Sequence, residues 1–187
     1  YQRYGSIACF AKSIELSVPE KPEEYSLEKV EEITSKYESD TVDTSKKRPN
    51  VITIINEAFS DPKVLADIKT NEDYMPFIHD LMENGNTVSG TSYASIVGGQ
   101  TANTEYEFLT GNSMSFLPKG TVAFQIYMKH EMPSMVTELK SEGYTGNSAT
   151  HLQKARNYNR DKAYPLLGFD KFYDYTNMGV PFVKMRN

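Results

Sequence analysis

Cysteine is almost missing from this chain: Cys9 is the single one in 187 residues, so no intrachain disulfide can form. Only three histidines are present, and with one cysteine they cannot make a Cys/His zinc centre. Any metal would have to be held largely by carboxylates and hydroxyls. Basic charge is not in surplus either. The formal net charge of −5 leaves no electropositive footprint for nucleic acid, which is excluded as a partner class. No apolar run approaches the ~18 residues of a membrane span, and no signal-peptide pattern opens the chain. There is no initiator Met, so Tyr1 reads as a cut into a longer protein. Internal repeats and low-complexity tracts are absent. What remains is the composition of a soluble globular protein, 39% hydrophobic and 24% charged, long enough for one domain with a real core.

Several elements announce themselves locally. Ser26 has the identity of a helix cap, and Leu27, Val30, Ile33 and Tyr37 follow at spacings of three and four, giving one apolar stripe. The polar stretch SDTVDTSKKRPN has no periodicity and reads as a linker, which divides a helical and linker segment (1–47) from a compact domain (48–187). VITII, residues 51–55, is a continuous β-branched run of the kind found in a strand buried on both faces. DYMPFIHDLMENG predicts a helix with Pro76 in its first turn and Asn84-Gly85 ending it. TVSGTSYAS predicts a short strand, PSMVTELKSEG a helix, and YTGNSAT a strand leading to His151. The order strand, helix, strand, helix, helix, strand, helix is that of an α/β domain.

In open α/β sheets, chemistry gathers at the carboxyl ends of the strands. Glu57 follows the VITII strand, His151 follows YTGNSAT, and Thr101 opens a helix behind Gly98-Gly99. Each also has an ordinary structural role open to it. An acidic residue after a strand is commonly a solvated loop residue, a threonine at a helix start is commonly an N-cap, and a lone histidine is commonly structural. His79, within a helix, and His130, in a polar segment, suggest no chemistry. On spacing alone the chain is an α/β domain with the ingredients of a hydrolase.

Four long segments sharpen this: NVITIINEAFSD, DYMPFIHDLMENG, GGQTANTEYEFLTGNSMSFLPKG and NRDKAYPLLGFDKFYDY. In order and nearly without gaps, from about Pro49 to Tyr175, they resemble the lipoteichoic acid synthase family. Those proteins are phosphoglycerol transferases on the alkaline-phosphatase/sulfatase fold. The resemblance implies an α/β domain with a sulfatase-like sheet and helices on both faces, of which this chain is the N-terminal portion. It implies Thr101 as nucleophile and metal ligand, Glu57 as metal ligand, and His151, Tyr158 and Arg160 at the substrate head group. Tyr158 stands where relatives commonly carry Trp. The implied metal is Mn²⁺, although carboxylate and hydroxyl ligands suit Mg²⁺ equally.

The chemistry agrees with that assignment. A threonine hydroxyl is a poor nucleophile at neutral pH and needs activation. A helix N-terminus supplies partial positive charge and free N–H groups for an alkoxide and for phosphoryl oxygens. Arg160 is able to grip a phosphate bidentately, and His151 to donate to the substrate or to the leaving alcohol. Thr101 is therefore expected to be cap and nucleophile in one.

The implied partners are a phosphatidylglycerol-like head group and a glycerol-phosphate or glycan acceptor. The expected location is the extracellular face of a membrane, behind N-terminal membrane helices. The family completes its metal site with an Asp-His pair on a later strand, yet this sequence contains no Asp-His dipeptide and no histidine after His151. The chain alone is thus expected to be inactive and to need a further C-terminal piece of the same domain. Rival functions are a phosphodiesterase, phosphoethanolamine transferase or sulfatase of the same fold, and a catalytically silent module binding polyanions or head groups. A sulfatase would want Cys or Ser where this chain has Thr101.

Overall fold

The computed structural model describes residues 5–15, 18, 21–37, 48–56 and 59–180. Helix α1 (Gly5–Glu15) and helix α2 (Leu27–Thr34) come first. Ser26 caps α2 as its sequence indicates, accepting from the Lys29 amide at 3.1 Å. The helix stops at Thr34, so Tyr37 falls just outside it. Helix α3 (Pro76–Asn84) begins with its proline, where the missing N–H costs nothing and φ is already set for a helix.

Two expected strands do not form. Residues 51–55 lie outside any ladder, with Ile52 and Ile54 84% and 85% exposed, and residues 87–95 form no strand either. β-Branched side chains favour an extended, packed surface, but a strand exists only where a neighbour supplies the ladder. No described segment pairs with either run.

From residue 101 onward the chain packs. Helices α4 (Thr101–Thr110), α5 (Ala123–Ile126), α6 (Met135–Ser141) and α7 (Arg160–Leu166) surround a core centred on Ala102, Tyr106, Leu109, Phe124, Val136 and Leu167. Tyr106, Phe124, Tyr164 and Phe172 form a chain of edge-on aromatic contacts with ring centroids 4.8–6.3 Å apart. The buried Asn103 joins α4 to α5: its amide donates to the Thr121 carbonyl at 2.8 Å, and its oxygen accepts from the Ala123 amide at 2.9 Å. Every polar atom of that side chain is thereby matched, as burial requires.

Strands β1 (Ser148–Thr150) and β2 (Lys171–Tyr173) pair in parallel, with Ala149 opposite Phe172, and α7 lies in the crossover between them. The His151 amide continues the ladder onto the Tyr173 carbonyl at 2.9 Å. Helix α6 is locked to this unit through its cap. The Ser134 hydroxyl accepts from the Val136 and Thr137 amides and donates to the Leu167 carbonyl at 2.6 Å. Gly168 closes α7 at φ +91°, where an added Cβ would meet the Thr137 methyl at 2.9 Å.

Candidate active site

The turn before α4 consists of three successive left-handed residues: Gly98 at φ +78°, Gly99 at +101° and Gln100 at +65°. Two glycines adopt this conformation freely, whereas Gln100 is held in it. Gln100 is therefore the cap residue, and Thr101 is the first residue inside the helix. The expectation that Thr101 caps the helix is corrected on this point, because the left-handed run ends one residue before it. Its hydroxyl is therefore not spent on capping. Among the described residues the half-buried Thr101 side chain has no hydrogen-bond partner, and it sits where helical amides lack internal acceptors.

One turn further on, Glu105 is buried and meets Arg160. Arg160 Nε donates to Glu105 Oε2 at 2.8 Å, and Nη2 donates to Oε1 at 2.5 Å. Arg160 Nη1 donates to the Asn157 carbonyl at 3.2 Å, and the Tyr164 hydroxyl donates to Glu105 Oε2 at 2.8 Å. Burial opposes the guanidinium charge, but the hydrogen bonds and negative charge of Glu105 outweigh it, so Arg160 is held above its ordinary value. Burial, reinforced by the Glu105 charge, pushes the Tyr164 hydroxyl far up, so it remains a donor at every physiological pH.

His151 approaches the same carboxylate, with Nε2 4.0 Å from Glu105 Oε1. Its Nδ1 accepts from the Gln153 amide at 3.0 Å, which assigns the neutral ring's proton to Nε2. Burial, followed by the positive charge of Arg160, lowers its pKa, so His151 is a neutral Nε2–H donor near pH 7. Tyr158 lies with its ring 5.3 Å from the Arg160 guanidinium carbon. Its backbone, at φ +56° and followed by Asn159 at +60°, is in a conformation that aromatic residues rarely hold.

The structure thus brings Arg160 onto Glu105, on the helix that Thr101 opens, with His151 4.0 Å from that carboxylate and Tyr158 against Arg160. One chemical expectation changes. The side-on fork of Arg160, expected to face a phosphate, is filled by Glu105, and the residue is only 1% exposed. Glu105 itself was not singled out from the sequence. Its spacing of four from Thr101 was the available signal, since it puts both on one helix face. Glu57 lies outside the described residues.

Among the described residues no group of three or more His, Cys, Asp or Glu side chains is arranged to hold a metal ion. The two residues expected as ligands, Thr101 and Glu57, are fewer than the three or four that fix a divalent ion.

A family model described as sulfatase matches residues 49–187. The chain belongs to the sulfatase family. That membership carries the α/β sulfatase-type fold, to which the β1–α7–β2 unit contributes. Among curated relatives, this sulfatase-family chain is 33% identical over 178 residues to a Rhizobium meliloti protein named for cyclic beta-1,2-glucan modification, covering 95% of this chain and 27% of the relative. It is 33% identical over 132 residues to lipoteichoic acid synthase 1 of Bacillus subtilis, covering 70% of this chain and 20% of that protein. A crystal structure of the lipoteichoic acid synthase of Listeria monocytogenes matches with a TM-score of 0.41 and 32% identity, over 46% of this chain and 20% of the other. The chain therefore spans about a quarter or less of the length of these relatives.

Proposed function

We propose that this sulfatase-family chain carries the nucleophile and head-group side of an enzyme that transfers glycerol phosphate, or a related phospholipid head group, to a cell-envelope acceptor. The single observation that carries the proposal is the Thr101 hydroxyl at the start of α4, unpartnered among the described residues, with Arg160 tied to the same helix through Glu105 and His151 close by. Thr101 Oγ attacks the phosphorus of the donor. The P–O bond to diacylglycerol breaks, and that alcohol leaves with a proton. A phosphothreonine diester remains, and an acceptor hydroxyl then attacks the same phosphorus, displacing Thr101. The α4 amides favour the charge that develops on the phosphoryl oxygens, and His151 Nε2–H is a donor for a substrate oxygen.

A divalent ion, Mn²⁺ or Mg²⁺, would supply Lewis acidity and lower the pKa of the threonine hydroxyl, with Thr101 and Glu57 as this chain's ligands. The lipoteichoic acid synthase relatives favour a glycerol-phosphate donor. The relative named for cyclic glucan modification matches 95% of this chain and favours a glycan hydroxyl as acceptor. The lipoteichoic acid synthase relatives support an extracellular setting. No helix among the described residues is long and apolar enough to cross a membrane. The test is head-group release from phosphatidylglycerol vesicles by the full-length protein. Thr101→Ala should abolish release while the protein stays folded, and release within a few-fold of wild type would refute the assignment.

A further inference from the structure

Glu105 is 4% exposed, yet it carries a carboxylate whose two oxygens are both engaged. Oε1 accepts from Arg160 Nη2 and lies 4.0 Å from His151 Nε2, while Oε2 accepts from Arg160 Nε and the Tyr164 hydroxyl. The partners come from segments 46, 55 and 59 residues further along the chain, by subtraction of the residue numbers. A buried ion pair is a weak source of stability, because desolvation cancels much of the attraction, and packed apolar residues often do as well. Its value lies in fixed geometry. Thr101 and Glu105 lie one turn apart on one helix face, with Cβ atoms roughly 5–6 Å apart. Whatever Glu105 holds is therefore held at a set distance from the nucleophile.

Resting on the function proposed above, we propose that Glu105 is the positioning residue of the site, fixing Arg160 relative to the Thr101 hydroxyl and setting the charge beside His151. An arginine has five N–H donors. Glu105 takes two and the Asn157 carbonyl one, which leaves one N–H on each Nη. Those two donors are what a side chain only 1% exposed has left for a phosphoryl group, and Glu105 decides which they are. His151, with Nε2 4.0 Å from Oε1, lies beyond hydrogen-bond reach and feels the same carboxylate through its charge. Glu105 touches neither substrate nor reacting atoms and acts through its partners.

The experiment compares Glu105→Asp with wild type in the full-length protein, using phosphatidylglycerol vesicles. Aspartate keeps the charge and withdraws it by one methylene. Displacement on that scale should lower kcat by about 100-fold while KM stays within about threefold, since misplacement by about 1 Å costs that much. A merely structural pair predicts kcat and KM unchanged in the folded fraction, and kcat within about threefold of wild type overturns the proposal. If Glu105→Asp does not fold, Tyr164→Phe removes one hydrogen bond to the carboxylate and should give a smaller loss in kcat alone; no loss overturns the proposal.

The two proposals fail separately. Wild type active, Thr101→Ala inactive and Glu105→Asp like wild type removes only the positioning role. If wild type releases no head group, the function fails, and Glu105 is then judged by the NMR titration of the His151 ring. A midpoint that falls in Glu105→Gln supports the contact, and an unmoved midpoint overturns it.

Discussion

The segment before Gly98 and the segment after it are built on different terms. Every buried residue among those described lies between Ala102 and Asp174. Before Gly98, α1, α2 and α3 bury no residue, and the most β-prone run of the chain is exposed. Yet the earlier half is not poor in apolar side chains: Ile52, Ile54, Val64 and Leu65 are all there, all exposed. Hydrophobic content is therefore not what separates the halves. The later half has elements that face one another, and the buried polar groups Asn103, Glu105 and Ser134 each find partners far along the chain. Matched long-range contacts, more than apolar supply, make the core.

The largest effect that tests this contrast is the loss of one partner from the buried ion pair. Arg160→Met should destabilise the chain by about 3–5 kcal/mol in chemical denaturation, because it strands the Glu105 carboxylate. Close behind is Leu167→Ala, which empties a fully buried site and should cost about 2–5 kcal/mol. Its counterpart in the first half, Ile52→Ala, should change stability by less than about 0.5 kcal/mol. A loss of about 2 kcal/mol there would show that residues 51–55 are packed in solution and would break the comparison. Ser134→Ala sits between, at about 1 kcal/mol for the cap with a further contribution from the lost bond to Leu167.

The smallest effects concern one histidine from each half. Asp73 bonds the half-buried His79 at 2.7 Å, and that bond, with the nearby Asp61, raises its pKa above the ordinary 6.5. Burial and then Arg160 lower that of His151. The signs oppose. The His79 contribution is complete below pH 6.5 and is lost as pH rises through its folded value. The His151 contribution is complete above pH 6.5 and is lost as pH falls toward its folded value. NMR titration should place the two midpoints on opposite sides of 6.5, and midpoints on the same side would refute the contrast between a histidine bonded to a carboxylate and one desolvated beside a guanidinium.

What was legible in the sequence was local. The Ser26 cap, the proline start of α3 and helix α6 rest on neighbours within a turn or two, and all are present; the strand before His151 is present because β2, 23 residues on, supplies its ladder. The strand expected at 51–55 fails because side-chain preference is local while a ladder is not. Strand β2 carried no distinct signal, since three residues are too few for a period to show. Thr101 was visible as the residue behind a glycine turn, but its position inside the helix depended on Gln100 adopting a left-handed backbone. The filled fork of Arg160 and the part played by Glu105 depend on a contact across 55 residues, which no local pattern encodes.

The central claim is that Thr101 becomes covalently bonded to the donor's phosphorus. Incubating the full-length protein with phosphatidylglycerol vesicles, quenching with acid and sequencing peptides by mass spectrometry reads this directly. The prediction is a glycerophosphoryl adduct on the peptide spanning Thr101, localised to that side chain and absent from Thr101→Ala. Head-group release by the wild type with no adduct on Thr101, or with an adduct on another residue, would contradict the account.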